Sequence, residues 1–348
     1  MKTALPVLTG IGSVTPYGPL AGLISAEPLE PSVITAWATP GLRRAFLVEP
    51  FRPASIVPGL KTRRLDRLSA WALVASSLAL RDAGIDLGQM DRSRIAVLFA
   101  TGFGCVELTE AFYQSAATNG WAGTDPITFP ETLSNAPASH VALFHDLRGP
   151  NLTVSSKSFA AESALLQAAS LLRYGQADMA IVLAGDTLTQ AVYEWYEAAH
   201  LLSPACFCNE PMSAAGGFVP CEGVVAMVLE PVGRPAAHSY ATLGAGCWAS
   251  GGDAQARVRQ LLGDVQLDFT ICAGNGAPCA SASLTDSGRN LVGGSVIIPA
   301  RPVATGMGEA GGLLHLLLAL STRPGRGQAL LSGASAHGGY AALRLELS

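Results

Sequence analysis

Apolar positions in this chain recur with two periods. Between residues 63 and 83, Leu68, Trp71, Ala72, Val74, Ala75, Leu78 and Leu80 follow three- and four-residue spacing, which predicts an amphipathic helix. Residues 148–186 read as strand, elbow, helix, strand. Leu152 to Ser155 is a short β-prone run, 156–159 is a small polar elbow, and 162–174 carries Leu165, Leu166, Ala168, Ala169, Leu171 and Leu172 around most of a helix. Gly175 stops that helix, and 179–184 is an almost wholly apolar strand of the kind buried in α/β sheets. The same reading gives a buried strand running into a glycine-rich turn over 5–18, a strand at 95–99, a turn at 101–104, a helix from about Asn135, and a helix at 190–202 with Trp195 and Tyr196. After 237 it gives a strand at 269–273, a helix at 310–321 and a strand pair within 329–347, whereas 19–62 is irregular and dotted with prolines.

Composition narrows the classes. Charged residues make up 14% of the 348 residues and hydrophobic ones 49%, which implies either a large core or a surface that lies against another subunit. The net charge is −4 and no basic block stands out, so nucleic acid is not expected as a partner. The longest apolar runs, such as 313–320, fall well short of the ~18–20 residues that cross a bilayer. Gly10, Gly12 and Pro16 interrupt the N-terminal apolar stretch, which makes it a poor secretory leader. The seven cysteines, at 105, 206, 208, 221, 247, 272 and 279, show no metal-ligand spacing. Scattered reduced thiols in a cytoplasmic protein, without metal or cofactor, are the expectation. Gly10-x-Gly12 is a lone pair of glycines with no dinucleotide fingerprint after it.

The 148–186 stretch resembles the active-site segment of β-ketoacyl synthases, the condensing enzymes of the thiolase-like superfamily. Gly149-Pro150, Thr153-Val154, the elbow 156–160, Gly175, Ala177-Asp178 and Ala184-Gly185 match in order. That family has there Gly-Pro, a short strand, Thr-Ala-Cys-Ser-Ser, a helix-ending glycine, Ala-Asp and Gly-Gly. The resemblance extends to Gly10-x-Gly12 with Thr15-Pro16-x-Gly18, to Asp82-Ala83-Gly84, to 101–104, and to Phe218, Glu222-Gly223 and Leu229-Glu230. Ala215-Gly216 stands where the family has Arg-Asp. The match is strong over 1–20, 64–104, 129–190 and 211–231 and weak after 237. It implies an α/β, five-layered α-β-α-β-α fold of two pseudo-symmetric halves. Residues 1–236 would form the N-terminal half with a dimerisation insertion. Residues 237–348 would form a shortened C-terminal half, lacking loops that shape the acyl tunnel and the carrier-protein entrance. No internal repeat is visible in the sequence.

Condensation needs a thiolate, two histidines that hold the malonyl thioester and stabilise its enolate, and an oxyanion hole. Counting back from Gly175 puts Ser158 at the position of the family's cysteine. The first histidine position aligns with Gly274, and the second with Met307 or Thr305, since no histidine lies between 295 and 314. His315 reads as a packed helix residue, His140 as structural, and His200 and His238 as surface positions. The segment 335–339 resembles the family's Gly-Phe-Gly-Gly loop, with His337 at the phenylalanine. Lys157 and Glu162 flank the elbow.

An intact frame without cysteine and histidines resembles the chain-length-factor subunits of type II polyketide and aryl-polyene synthases. The resemblance implies a catalytically silent subunit that pairs with an active ketosynthase, shapes its tunnel through Thr132 and Leu133, and meets acyl carrier protein through that complex. Two other readings stay open. One is a serine acyltransferase or thioesterase using Ser158 with His337 as base. The other is a homodimeric scaffold without acyl chemistry.

Overall fold

A computed structural model describes residues 5–25, 27–37, 42–156, 159–203, 217–233, 236–249, 256, 260, 266–274, 296–298, 302–322, 325–334 and 340–348. Ten strands form one continuous path. In chain order they are β1 (Pro6–Thr15), then β5 (Ile95–Thr101), β6 (Asn151–Ser155), β7 (Met179–Asp186) and β8 (Gly223–Pro231), then β9 (Ala241–Ala249), β10 (Phe269–Gly274), β11 (Val296–Ile298), β12 (Gly327–Ala334) and β13 (Tyr340–Leu347). Along the sheet the order is β11-β10-β12-β13-β9-β1-β8-β7-β5-β6. A short β2 (Gly18–Ala21) pairs with β1, and β3 (Ser32–Val33) with β4 (Arg44–Ala45) makes a separate ribbon.

This order contains a repeat that the sequence hides. Within β1, β5, β6, β7, β8 the sheet order is first, fifth, fourth, second, third, and within β9 to β13 it is the same. Both runs share one pattern of directions: antiparallel, antiparallel, parallel, parallel. The runs meet at two register pairs, Val7↔Thr242 and Leu8↔Ala241. Two copies of one topology need only matching patterns of burial, not matching side chains, so no repeat is legible in the residues themselves.

The helices with described bounds are α1 (Pro53–Ile56), α2 (Arg67–Asp82), α3 (Val106–Asn119), α4 (Ala136–His145), α5 (Ala160–Arg173), α6 (Gln190–Ala198), α7 (Pro302–Thr305) and α8 (Gly312–Ser321). Both strand runs pack on α5, and α8 lies beside it against β10, β8 and β7. Helices α2 and α4 cover the outer face of the first run. These make four layers among the described residues.

The α2 helix begins at Arg67, four residues after the start of the periodic stretch, because the Asp66 carboxylate caps it by accepting from Leu68 N at 2.8 Å. It is buried nearly all round, including Ser69 and Ser76, since α4 covers the side that would otherwise face water. The lone glycine pair is explained here. A Cβ on Gly12 would lie 2.2 Å from the Ala75 carbonyl oxygen, and one on Gly10 2.4 Å from that of Ala79. Gly10 and Gly12 let α2 press its backbone onto β1. Helix α6 stops at Ala198, short of residue 202, where His200 takes a left-handed φ of 55° and Leu201 N returns to Tyr196 O at 3.0 Å. No helix among the described residues is long and apolar enough to cross a membrane.

Candidate functional site

The parallel strands β5, β6 and β7 end together, and their carboxyl ends are where open α/β sheets place ligands. The turn after β5 is pinned by Asp186 at the end of β7. Its carboxylate accepts from the Thr101 hydroxyl, from Gly102 N at 2.8 Å and from Phe103 N at 2.9 Å. Helix α5 starts beside these ends, immediately after Phe159, a non-glycine residue in the left-handed region (φ 46°, ψ 42°). The backbone therefore makes a sharp elbow there.

The second strand run brings its own ends to the same corner. β10 ends at Gly274 and β12 at Ala334, register partners of one another. The turn at 306–311 follows α7 and packs on α5, β5 and β7. It is held by Cys221 N donating to Gly306 O at 2.9 Å, and a Cβ at Gly306 would lie 2.1 Å from Val219 O. Helix α8 therefore starts at Gly312, two residues later than its apolar run, after a 3-10 turn at Gly308–Ala310.

Met307 is 3% exposed and belongs to the main apolar core. Beyond it stands an aromatic wall that sequence reasoning did not assign to the site. Phe103 meets Tyr196 at 5.7 Å between ring centres, and Tyr196 meets Phe218 at 4.8 Å, both edge to face. The Tyr196 hydroxyl lies 3.8 Å from where a Cβ on Gly308 would be. The signal was present as Trp195-Tyr196 on one helix and Phe218 in a matched segment, but only the fold brings them to the corner.

Glu162 is a second buried acid of this corner, in addition to Asp186. It is 4% exposed, in the first turn of α5, and burial pushes its carboxyl up to about 7. A Cβ on Gly312 would lie 2.7 Å from its Cδ, and one on Gly333 2.8 Å from its Oε1.

The remaining sequence-derived residues fall as follows. Lys157, Ser158 and His337 lie outside the described residues, as do the side chain of Thr305 and Cys206, Cys208 and Cys279. Gly274 reaches the corner with backbone alone. Thr132 and Leu133 lie at the end of a 3-10 turn (Phe129–Thr132) packed on α3. Thr109 Oγ1 donates to Thr132 O at 3.1 Å, and Leu133 is exposed. His140 Nε2 sits 2.7 Å from Glu131 Oε2. His145 meets Ser76 Oγ at 3.1 Å, and burial pushes its imidazole down to about 4. His200 is exposed, His238 lies 3.9 Å from Asp82 Oδ1, and His315 is buried in α8. The described cysteines are free, and burial raises all four: Cys272 is pushed up to about 11, and Cys105, Cys221 and Cys247 also move upward. None is a ready thiolate at neutral pH. No group of three or more His, Cys, Asp or Glu among the described residues is arranged to hold a metal ion.

A second feature lies beside the corner. β6 is the edge of the sheet, and no described strand pairs with its outer side. Its burial is poor, and Leu152 is 38% exposed. The neighbouring helix α4 exposes Leu143 (76%) and Phe144, and Asn151 Nδ2 ties the two elements by donating to Ala138 O at 3.1 Å. The lobe of α3 and its following turns adds Tyr113, Trp121, Ile127 and Phe129.

Comparison with known proteins fits this geometry. The family profile "Beta-ketoacyl synthase, N-terminal domain" matches residues 30–233. Over 242 residues the chain is 29% identical to 3-oxoacyl-[acyl-carrier-protein] synthase 2 of Vibrio cholerae, covering 64% of this chain and 57% of that enzyme. The match thus spans little more than half of that relative's length. Among solved structures, the ishigamide ketosynthase/chain length factor superposes with a TM-score of 0.76 at 22% identity, covering 99% of each chain. A type II polyketide ketosynthase in complex with its acyl-carrier protein, AntDE:AntF, gives 0.78 at 17%, covering 99% of this chain and 100% of that one. At such identities the structures establish the fold alone.

Proposed function

We propose that this chain, which belongs to the β-ketoacyl synthase family, is a non-condensing subunit of the chain-length-factor type. It pairs with an active ketosynthase and shapes the tunnel in which the partner's acyl or polyketide chain grows. The observation that carries this reading is Met307. The turn that aligns with the family's second histidine segment is docked at the corner by its backbone, and the side chain it delivers is an apolar thioether sealed in the core. A thioether offers no proton and no N–H to developing enolate charge, and losing one such donor typically costs ~10²–10³ in rate. Gly274, at the first histidine position, supplies no side chain.

The open β6 edge supports the pairing. Edge strands of soluble proteins are commonly blunted by charge, proline or cover; Asn151–Ser155 carries no charge and no proline, and no described strand covers its outer side. An interface across this edge would absorb Leu143, Phe144 and Leu152 and account for the low charged fraction. Stable obligate interfaces commonly bury over ~2,000 Å². The ishigamide and AntDE:AntF structures, as named, are assemblies of these classes of subunit, which favours a ketosynthase partner and acyl carrier protein reached through it. On this reading the chain divides at 236/237, before β9 opens the second strand run. Thr132 and Leu133 face the partner's tunnel, and the pair works in the cytoplasm.

The test is reconstitution. The chain is co-expressed with an intact Cys-His-His ketosynthase from the same host, and condensation of acyl and malonyl carrier proteins is followed by mass spectrometry. Condensation is expected from the one-to-one complex and not from this chain alone. Condensation by the isolated chain, or a turnover-competent acyl adduct on Ser158 with His337 required, would replace this reading with a serine acyltransferase or thioesterase.

A further inference from the structure

Two helix N-termini converge on one buried carboxyl. Glu162 is the third residue of α5, so its side chain leans back towards that helix's start. Its carboxyl also lies against Gly312, the first residue of α8: a Cβ there would be 2.7 Å from Cδ and 2.8 Å from each oxygen. Gly333 of β12 closes a third side, with the corresponding distance to Oε1 again 2.8 Å. The carboxyl fits because both positions are glycine.

Both helices begin without a side-chain cap: Phe159 precedes α5 and Gly311 precedes α8, and neither makes a capping hydrogen bond from its side chain. Uncapped first-turn N–H groups and the positive ends of two helix dipoles make a place for negative charge. The side chain aimed into it is 96% buried, since it is 4% exposed. It makes no ion pair and no hydrogen bond to another described residue. Its own backbone N–H is the one contact that favours its charge.

We infer that the N-termini of α5 and α8 form an anion pocket, that the Glu162 carboxyl is its built-in occupant, and that removing this side chain opens the pocket to small carboxylates. Burial opposes the charge and the two helix ends favour it, and the native chain meets both demands with a covalently tethered anion. One consequence rests on the reading of this corner given above. With the pocket already filled, the carboxylate of a malonyl-type substrate has no place at the corner.

The experiment uses the full chain without partner or substrate, so its failure and the failure of the pairing reading are distinguishable. Thermal unfolding of native, Glu162→Ala and Glu162→Gln chains is measured at pH 8.5 with sodium formate, sodium acetate, sodium chloride and acetamide. The Ala variant is expected to gain about 2 °C at near-saturating formate or acetate beyond the chloride effect, with a saturable dose response and nothing from acetamide. The native and Gln chains should show no such increment. Equal response of the folded Ala variant to acetate, chloride and acetamide would overturn the inference, as would the same increment in the native chain. Should the Ala variant not fold, the infrared difference between native and Gln chains at pH 8.5 decides. A carboxylate stretch lost in the Gln variant supports a buried anion in the pocket; only a protonated carboxyl band contradicts it.

Discussion

The corner where α5 and α8 begin and the edge formed by β6 lie at opposite ends of a scale. At the corner, where a condensing enzyme needs polar reacting groups within reach of substrate, the chain places a sealed Met307, a bare Gly274 and a buried Glu162. At the edge, where a self-sufficient protein needs polar cover, it leaves Leu152, Leu143 and Phe144 exposed beside a strand whose outer side pairs with no described strand. At the corner Met307 and Gly274 offer no reacting side chain, whereas at the edge apolar side chains are exposed where solvation would need polar ones. The difference supports the proposed function, in which the frame is kept for association and the reacting centre is supplied by a partner.

The largest effect expected is at the corner. Restoring the nucleophile and one imidazole with Ser158→Cys and Met307→His should leave the isolated chain at least ~10³-fold slower in condensation than an intact ketosynthase, because Gly274 still withholds the other donor. The imidazole would also enter an apolar slot, costing about 2–3 kcal/mol of stability by chemical denaturation. Condensation within tenfold of an intact enzyme would erase the contrast between the two regions.

The next effect is at the edge. Leu152→Asp together with Phe144→Asp should weaken the complex with an active ketosynthase by about 100-fold or more, through burial of unpaired charge and loss of apolar contact. The change should leave the circular dichroism of the chain alone intact. Undiminished affinity, measured by light scattering across a dilution series, would remove β6 from the interface.

A subtler prediction concerns the support under that edge. His145 closes α4 against Ser76 of α2, and burial lowers its pKa to about 4 from the ordinary 6.5. A folded pKa below the unfolded one means that the unfolded state binds more protons between them. The contribution is therefore fully present above pH 6.5 and is lost as pH falls towards 4. Stability should drop by about 1–2 kcal/mol between pH 6.5 and 5 on this account, and His145→Gln should flatten that part of the profile. Urea titrations at several pH values read the slope directly.

The smallest effect is on product. Leu133→Ala should lengthen the chains made by the complex and Leu133→Trp should shorten them, with affinity unchanged. An unaltered product distribution for both, in an intact complex, would take Leu133 out of the tunnel.

What the residues disclosed in advance follows from how local the causes are. Helices α2, α5 and α8 and strand β7 rest on unbroken apolar periodicity; α2 and α8 start later where the Asp66 cap and the 3-10 turn at Gly308–Ala310 intervene, and α5 starts two residues earlier, directly after the elbow at Phe159. The repeated strand order was not legible, because it depends on pairings such as Ala180↔Leu229 between residues far apart in the chain. The glycine pair of β1 was ambiguous until Ala75 and Ala79 of α2 were seen against it. Glu162 was visible as a neighbour of the elbow, but its burial depends on Gly312 and Gly333, some 150 residues or more away. Met307 was named with Thr305 as the substitute for a histidine; its burial in the core follows from the backbone bond between Cys221 and Gly306.

The most direct test of the central claim is native mass spectrometry of the chain purified from its host under conditions of active synthesis. The account predicts a one-to-one complex with an intact ketosynthase, with the growing acyl chain on the partner's cysteine and none on Ser158. A monomer or homodimer of this chain carrying the acyl group itself would contradict it.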